Sequence, residues 1–182
     1  VTYQDIFLKG CKLAAALKQA GIGSGDRFSV IMKNHPEFVY ALMAASLIGA
    51  VVVPIDPRSK GNKLSYQIKD SNSKGIIFTN EYADETAKSL QELKDVKVVG
   101  IIYKPGFETP RRDQYPDLGA ILDGPDVPPP EDRNRDANSA FEIIYTSGTT
   151  GDPPLSAGPL RKAGCGTSAA SMASRPSPCW AA

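Results

Sequence analysis

Ten residues, Tyr145-Thr146-Ser147-Gly148-Thr149-Thr150-Gly151-Asp152-Pro153-Pro154, hold the densest chemistry in the chain. Apolar, β-favouring Ile143, Ile144 and Tyr145 run into seven residues made only of Thr, Ser, Gly and one Asp, which is how a buried strand hands over to a tight polar loop. Such a loop suits phosphate. Two glycines permit close backbone approach and positive φ, while four hydroxyls and successive backbone N–H groups can all donate to an anion. No Gly-Lys-Ser/Thr closes the stretch, so it is not the Walker pattern. By composition alone, a solvated Thr/Ser/Gly hairpin loop fits the same residues.

Other reactive side chains are sparse. Cys11, Cys165 and Cys179 are too few and too scattered for a disulfide framework or a zinc site, and Cys11 falls in a helical pattern as a small core residue. The single histidine, His35, stands between Asn34 and Pro36 at a helix start, without a Ser or Cys nucleophile context, and reads as a surface residue. With 21 basic and 20 acidic side chains the net charge is +1, so no nucleic-acid partner is expected. No metal ligands and no catalytic residue are assigned.

The loop needs a scaffold, and the chain before it alternates in period. Tyr3 to Ala20 keeps Ile6, Phe7, Leu13 and Leu17 at near-helical spacing, with a Thr2-x-x-Asp5 capping box in front and Gly21 behind. Arg27 to Met32 alternates as a strand, and Asn34 with Glu37 offers a second capping arrangement around Pro36. There follow a strand at Val51 to Pro54, a helix near Lys63 to Asp70, a strand at Gly75 to Thr79, a helix near Asp84 to Leu93 and a strand at Lys97 to Ile102. Continuous apolar runs such as Val51-Val52-Val53 and Gly75-Ile76-Ile77-Phe78 indicate parallel strands covered on both faces, an α/β class. The uncharged run Phe38 to Ile55 just meets the length of a membrane span. Gly49 and Pro54 divide it into a buried helix, a turn and a buried strand, so no transmembrane segment is expected.

From Tyr103 to Asn138 the composition turns to proline and mixed charge, including Pro128-Pro129-Pro130, and reads as an extended connection over the surface; Ser139 to Tyr145 then returns to the sheet. Leu155 to Ala182 holds seven Ala, five Ser, three Gly and three Pro and no Asp, Glu, Asn, Ile or Val, so a low-complexity stretch, 154–182, is set apart from 1–153. It is expected to be either a genuine disordered tail or the product of a frameshift at or just after Pro153. The start at Val1, followed directly by a helix cap, reads as a segment cut from mid-chain, not as a signal sequence.

Tyr-Thr-Ser-Gly-Thr-Thr-Gly-x-Pro, Tyr145 to Pro153, resembles the phosphate-binding loop of the adenylate-forming superfamily: acyl-CoA synthetases, firefly luciferase and peptide-synthetase adenylation domains. Leu17-x-x-x-Gly21-Ile22-x-x-Gly25-Asp26, Asn34-x-x-Glu37 and Gly49-Ala50-x-x-x-Pro54-x-x-Pro57 follow the order and spacing of the amino-terminal part of acyl-CoA synthetases. The resemblance covers Thr2 to Pro153 and implies the amino-terminal part of the large α/β domain of an acid–CoA ligase, with Pro-rich connection 103–138 and phosphate loop 145–153. It further implies ATP, Mg2+ and coenzyme A as cofactors or co-substrates, a small-molecule carboxylic acid as partner, and a cytoplasmic location. In that family a carboxylate and ATP give an acyl-adenylate and pyrophosphate, and the thiol of coenzyme A then displaces AMP. Thr146, Ser147, Gly148, Thr149, Thr150 and Gly151 would make the phosphate contacts, a task of positioning and charge stabilisation.

The chain departs from the family at Pro154, where relatives carry lysine. A unit charge about 4 Å from phosphate in a partly screened site is worth on the order of 4 kcal/mol before desolvation is subtracted. The carboxylates that relatives use for magnesium and ribose lie further along, whereas no Asp or Glu follows Asp152 here. The chain alone is therefore expected to be catalytically incomplete. The alternative is a non-catalytic nucleotide-binding or interaction module.

Overall fold

The computed structural model describes residues 1–107, 114–131 and 139–145 and the backbone of Leu155–Pro159. Helix α1 spans Tyr3–Gln19, and its capping box is closed in both directions: Asp5 N–H donates to Thr2 Oγ1 at 3.2 Å and Thr2 N–H to Asp5 Oδ2 at 2.7 Å. Gly21, at φ 83°, ends it in a Schellman turn, with Gly21 N–H on the Lys18 carbonyl and Ile22 N–H on that of Leu17, both at 2.9 Å. A non-glycine residue would pay about 1–2 kcal/mol for that left-handed backbone.

The remaining elements follow in the alternation expected: β1 Arg27–Ile31, α2 Pro36–Ile48, β2 Val51–Pro54, α3 Gly61–Asp70, β3 Ser73–Thr79, a 3-10 turn Asn80–Tyr82, α4 Ala83–Glu92 and β4 Lys97–Ile102. After them come α5 Leu118–Asp123, β5 Ala140–Tyr145 and β6 Leu155–Pro159. The sheet order is β4-β3-β1-β2-β5-β6; β1 to β5 run parallel, and β6 lies antiparallel against β5.

Because successive strand side chains point to opposite faces, the continuous apolar runs feed two cores. On one face Phe28, Val30, Val52 and Ile77 pack with Leu13 and Leu17 of α1 and Tyr40, Ala44 and Ile48 of α2. On the other, Ile31, Val51, Val53, Ile76 and Phe78 pack with Leu64 and Ile68 of α3 and Ala83 of α4. Phe28 and Phe78 are fully buried, one on each side, each worth about 1.5–3 kcal/mol of transfer free energy.

The uncharged run divides as its glycine and proline require. Gly49 takes φ 71° and closes α2, and Val51–Pro54 enters the sheet beside β1. The 13 residues of α2 rise only about 20 Å, short of the ~30 Å hydrocarbon core, and no described helix is long and apolar enough to cross a membrane.

Two expectations are corrected. Asn34 does not cap α2: the N-cap is His35, in an extended conformation and without a side-chain cap bond. Proline disfavours helical backbone in the residue before it, so the helix starts at Pro36 itself, and the Glu37 carboxylate pairs with Lys104 instead. The connection after Tyr103 is not extended throughout either. Asp117 caps α5 by accepting from Ala120 N–H at 3.2 Å, and Leu118 and Leu122 are buried against α1 and β4. Gly100 makes room for this docking, since a Cβ there would lie 2.9 Å from that of Leu118. Residues 108–113 and 132–138 of the same connection lie outside the described residues. So do 160–182; the stretch set apart from residue 154 onward does contain β6, whose backbone pairs with β5 from Tyr145↔Leu155 to Ala140↔Pro159.

Candidate functional site

In a parallel sheet every strand ends at the same edge, and ligands of open α/β sheets gather there. Ile31, Pro54, Thr79, Ile102 and Tyr145 close β1 to β5. β5 sits between β2, with Glu142 opposite Val52, and β6, with Tyr145 opposite Leu155. The two strands flanking residues 146–154 are thus bonded to each other, with β5 ending and β6 beginning at the carboxyl edge of the sheet. Thr146, Ser147, Gly148, Thr149, Thr150 and Gly151 lie outside the described residues.

Tyr145, the residue before them, is bonded to α3. The Tyr145 hydroxyl lies 2.8 Å from Asp70 Oδ2 and 3.2 Å from the Gln67 carbonyl, both on the last turn of α3. Burial first, and then the Asp70 carboxylate, push its pKa well above the usual phenol value, so the hydroxyl keeps its proton and donates. On the same strand, burial raises the pKa of Glu142, while Ile144 is about half exposed.

Three basic side chains beyond the carboxyl ends of the strands are bound to acids. Lys33 Nζ lies 2.6 Å from Glu81 Oε1, a hydrogen bond that raises the lysine pKa. Lys104 Nζ lies 2.8 Å from Glu37 Oε1, and Arg58 Nη2 lies 2.8 Å from Asp56 Oδ2, which with a backbone bond from Arg58 lowers the Asp56 pKa to about 2. Lys33, Arg58 and Lys104 each have a carboxylate partner already. Among the described residues no group of three or more His, Cys, Asp or Glu could hold a metal ion.

A cleft of about 660 Å³, lined by Ala20, Leu93, Val96, Lys97, Pro116 and Ile121 among others, opens at the start of β4. It is four strand positions from β5, about 19 Å at ~4.8 Å per strand, and at the opposite end of the strands. It is separate from the loop's edge.

Of the remaining residues singled out in the sequence, Cys11 is buried in α1, as expected, whereas His35, read as a surface residue, is half-buried at the start of α2. Asp26 accepts from Gly23 N–H at 3.0 Å and pairs with Lys74 at 2.7 Å, consistent with a turn role. Asp70, Gln67, Asn80 and Lys104 were not legible, because each acts on a residue 24 or more positions away and carries no local pattern.

A parallel α/β sheet whose fifth strand is followed in sequence by a Thr/Ser/Gly-rich stretch belongs to the class of open α/β domains that take ligands at the carboxyl edge of their strands. The family model described as AMP-binding enzyme matches residues 1–154, and the chain belongs to that family. It is 30% identical over 159 residues to 4-coumarate–CoA ligase CCL1 of Humulus lupulus, with 84% of this chain and 27% of the relative covered. Over 165 residues it is 29% identical to acetyl-coenzyme A synthetase of Halorhodospira halophila, covering 84% of this chain and 25% of the relative. The solved structure of acetoacetyl-CoA synthetase from Streptomyces lividans superposes with a TM-score of 0.74 at 24% identity, over 86% of this chain and 25% of that one. The chain spans about a quarter of the length of the curated relatives it matches.

Proposed function

We propose that the whole protein is an ATP-dependent acid–CoA ligase, which converts a carboxylate and ATP to an acyl-adenylate and pyrophosphate and then forms a thioester with coenzyme A. The observation that carries this reading is a family match running from residue 1 through the Tyr145–Pro153 motif, at a strand end where ligands of such sheets bind. Thr146, Ser147, Gly148, Thr149, Thr150 and Gly151 are the proposed phosphate contacts. They hold the leaving pyrophosphate with backbone N–H groups and hydroxyls and do not react. The matched relatives act on acids as different as 4-coumarate and acetate, so their names support a carboxylic acid in general. Mg2+, where bound, supplies neutralisation of phosphate charge; no described residue is assigned to it.

We further propose that residues 1–153 are part of an adenylation domain and that this chain alone does not complete the reaction. Pro154 in place of lysine and the lack of Asp or Glu after Asp152 support that reading. The test is ATP binding by calorimetry together with pyrophosphate release in the presence of carboxylic acids. Saturable ATP binding that weakens in Thr149→Ala/Thr150→Ala, with pyrophosphate release at background, is expected. Absence of ATP binding overturns the loop assignment, and release above background overturns the incompleteness.

A further inference from the structure

We infer that Tyr145 is a positioning residue for the phosphate loop: its hydroxyl, held by Asp70 Oδ2 and the Gln67 carbonyl, fastens the loop's first residue to the last turn of α3. The inference rests on the reading of residues 146–151 as phosphate contacts. Three features of the contact support it. It joins residues 75 and 78 positions apart, so it is a tertiary tie and not a local turn. The acceptors lie in the last turn of a helix, where the negative end of the helix dipole favours a donor, and the Gln67 carbonyl, which also takes the Ser71 N–H at 3.2 Å, has a second lone pair for it. The bond to a carboxylate is charge-assisted and short, the kind that fixes geometry.

The hydroxyl is placed to restrain the loop and not merely to fill space. Tyr145 is the last residue of β5, and its register partner Leu155 begins β6, so the side chain sits where the chain leaves the sheet. The ring already packs with the core on the α3 side. Removing only the oxygen keeps that packing and frees the tether. A loop that must present several donors to one anion loses affinity when its first residue is allowed to swing, because the ordering cost moves to the binding step.

The experiment compares this chain with Tyr145→Phe, Asp70→Asn, Asp70→Ala and Tyr145→Phe/Asp70→Ala. The readouts are amide hydrogen exchange of peptides spanning 145–152, with peptides from α1 and β3 as internal references, and the ATP dissociation constant. Tyr145→Phe is expected to speed exchange in the loop peptide and weaken ATP binding, each by about two- to tenfold, the factor for one net hydrogen bond, with the references unchanged. Asp70→Asn, which keeps an oxygen but loses the charge, should fall between wild type and Tyr145→Phe; Asp70→Ala, which leaves the Gln67 carbonyl, should approach Tyr145→Phe, and the double variant should be no worse than Tyr145→Phe. Unchanged loop exchange in Tyr145→Phe, or acceleration spread evenly over the references, overturns the inference. Loop exchange that responds as expected in a chain that binds no ATP sustains the tether and sinks the phosphate reading instead.

Discussion

Asn80 grips the backbone of Lys104 from both sides: its Oδ1 accepts from Lys104 N–H at 2.9 Å, and its Nδ2 donates to the Lys104 carbonyl at 3.2 Å. The two residues follow β3 and β4, so one side chain ties together the turns at the carboxyl ends of neighbouring strands. Lys104 in turn reaches Glu37 at the start of α2. Asn80 is buried, and truncation leaves a part-buried N–H without its acceptor, which costs about 1–3 kcal/mol. Asn80→Ala should lower the urea midpoint accordingly; a loss below about 0.5 kcal/mol, the range of ordinary surface changes, contradicts the clamp.

The helix inside the proline-rich connection makes a second prediction. Leu118 and Leu122 are 1% and 3% exposed, against α1 and β4. Leu118→Ala should destabilise the chain by about 2–5 kcal/mol, as core truncations do. A solvated linker would tolerate the same change almost without effect, so urea unfolding of this one variant separates the two descriptions.

The residues that were legible are those whose signal is local. Val51-Val52-Val53 between a glycine and a proline can only be a short buried strand, and β2 has the bounds that the pattern indicates. Thr2 and Asp5 bond each other across three residues, within reach of a motif. Leu118 and Leu122 form a single i, i+4 pair in a six-residue helix flanked by prolines, too short a period to stand out from the composition around it. Asn34 was an acceptable cap by type, but the restriction that Pro36 places on His35 decides where the helix starts. The loop motif was readable as a word, whereas the tether between Tyr145 and Asp70 depends on which strand sits beside which helix. No residue near Tyr145 in sequence encodes that adjacency.

Gly25 and Gly49 share a left-handed backbone, at φ 77° and 71°, yet differ in what surrounds them. A Cβ at Gly25 meets nothing within 4 Å, while one at Gly49 would lie 2.8 Å from Ser24 Oγ and 3.3 Å from Ser24 Cβ. Gly25→Ala should therefore cost the backbone penalty alone, about 1–2 kcal/mol. Gly49→Ala should cost that plus the overpacking against Ser24, about a further 1–3 kcal/mol. In a Ser24→Gly background the excess at position 49 should shrink. Equal losses for the two alanine variants in the wild-type background contradict the close contact.

Asp26 couples folding to pH. The Lys74 ammonium at 2.7 Å, and then the Gly23 N–H at 3.0 Å, hold its carboxyl below the ordinary carboxylate range. A folded-state pKa below the unfolded one means that the unfolded chain binds the proton more readily. The stability Asp26 contributes is thus fully present above the unfolded value, about 3.9, and is lost as pH falls through the folded value. The ion pair is partly exposed and contributes about 1 kcal/mol or less. Measured by urea unfolding, wild type should be more stable than Asp26→Asn at pH 7, with the difference closing below about pH 4. Asp56 is the control: its pKa is lowered to about 2, but by Arg58 two residues away and on an exposed turn. The unfolded chain keeps that neighbour, so the shift is largely shared by both states. Asp56→Asn should leave the pH dependence of stability nearly unchanged, and a closing gap as large as that of Asp26→Asn would show that the Asp56 pair forms only in the folded protein.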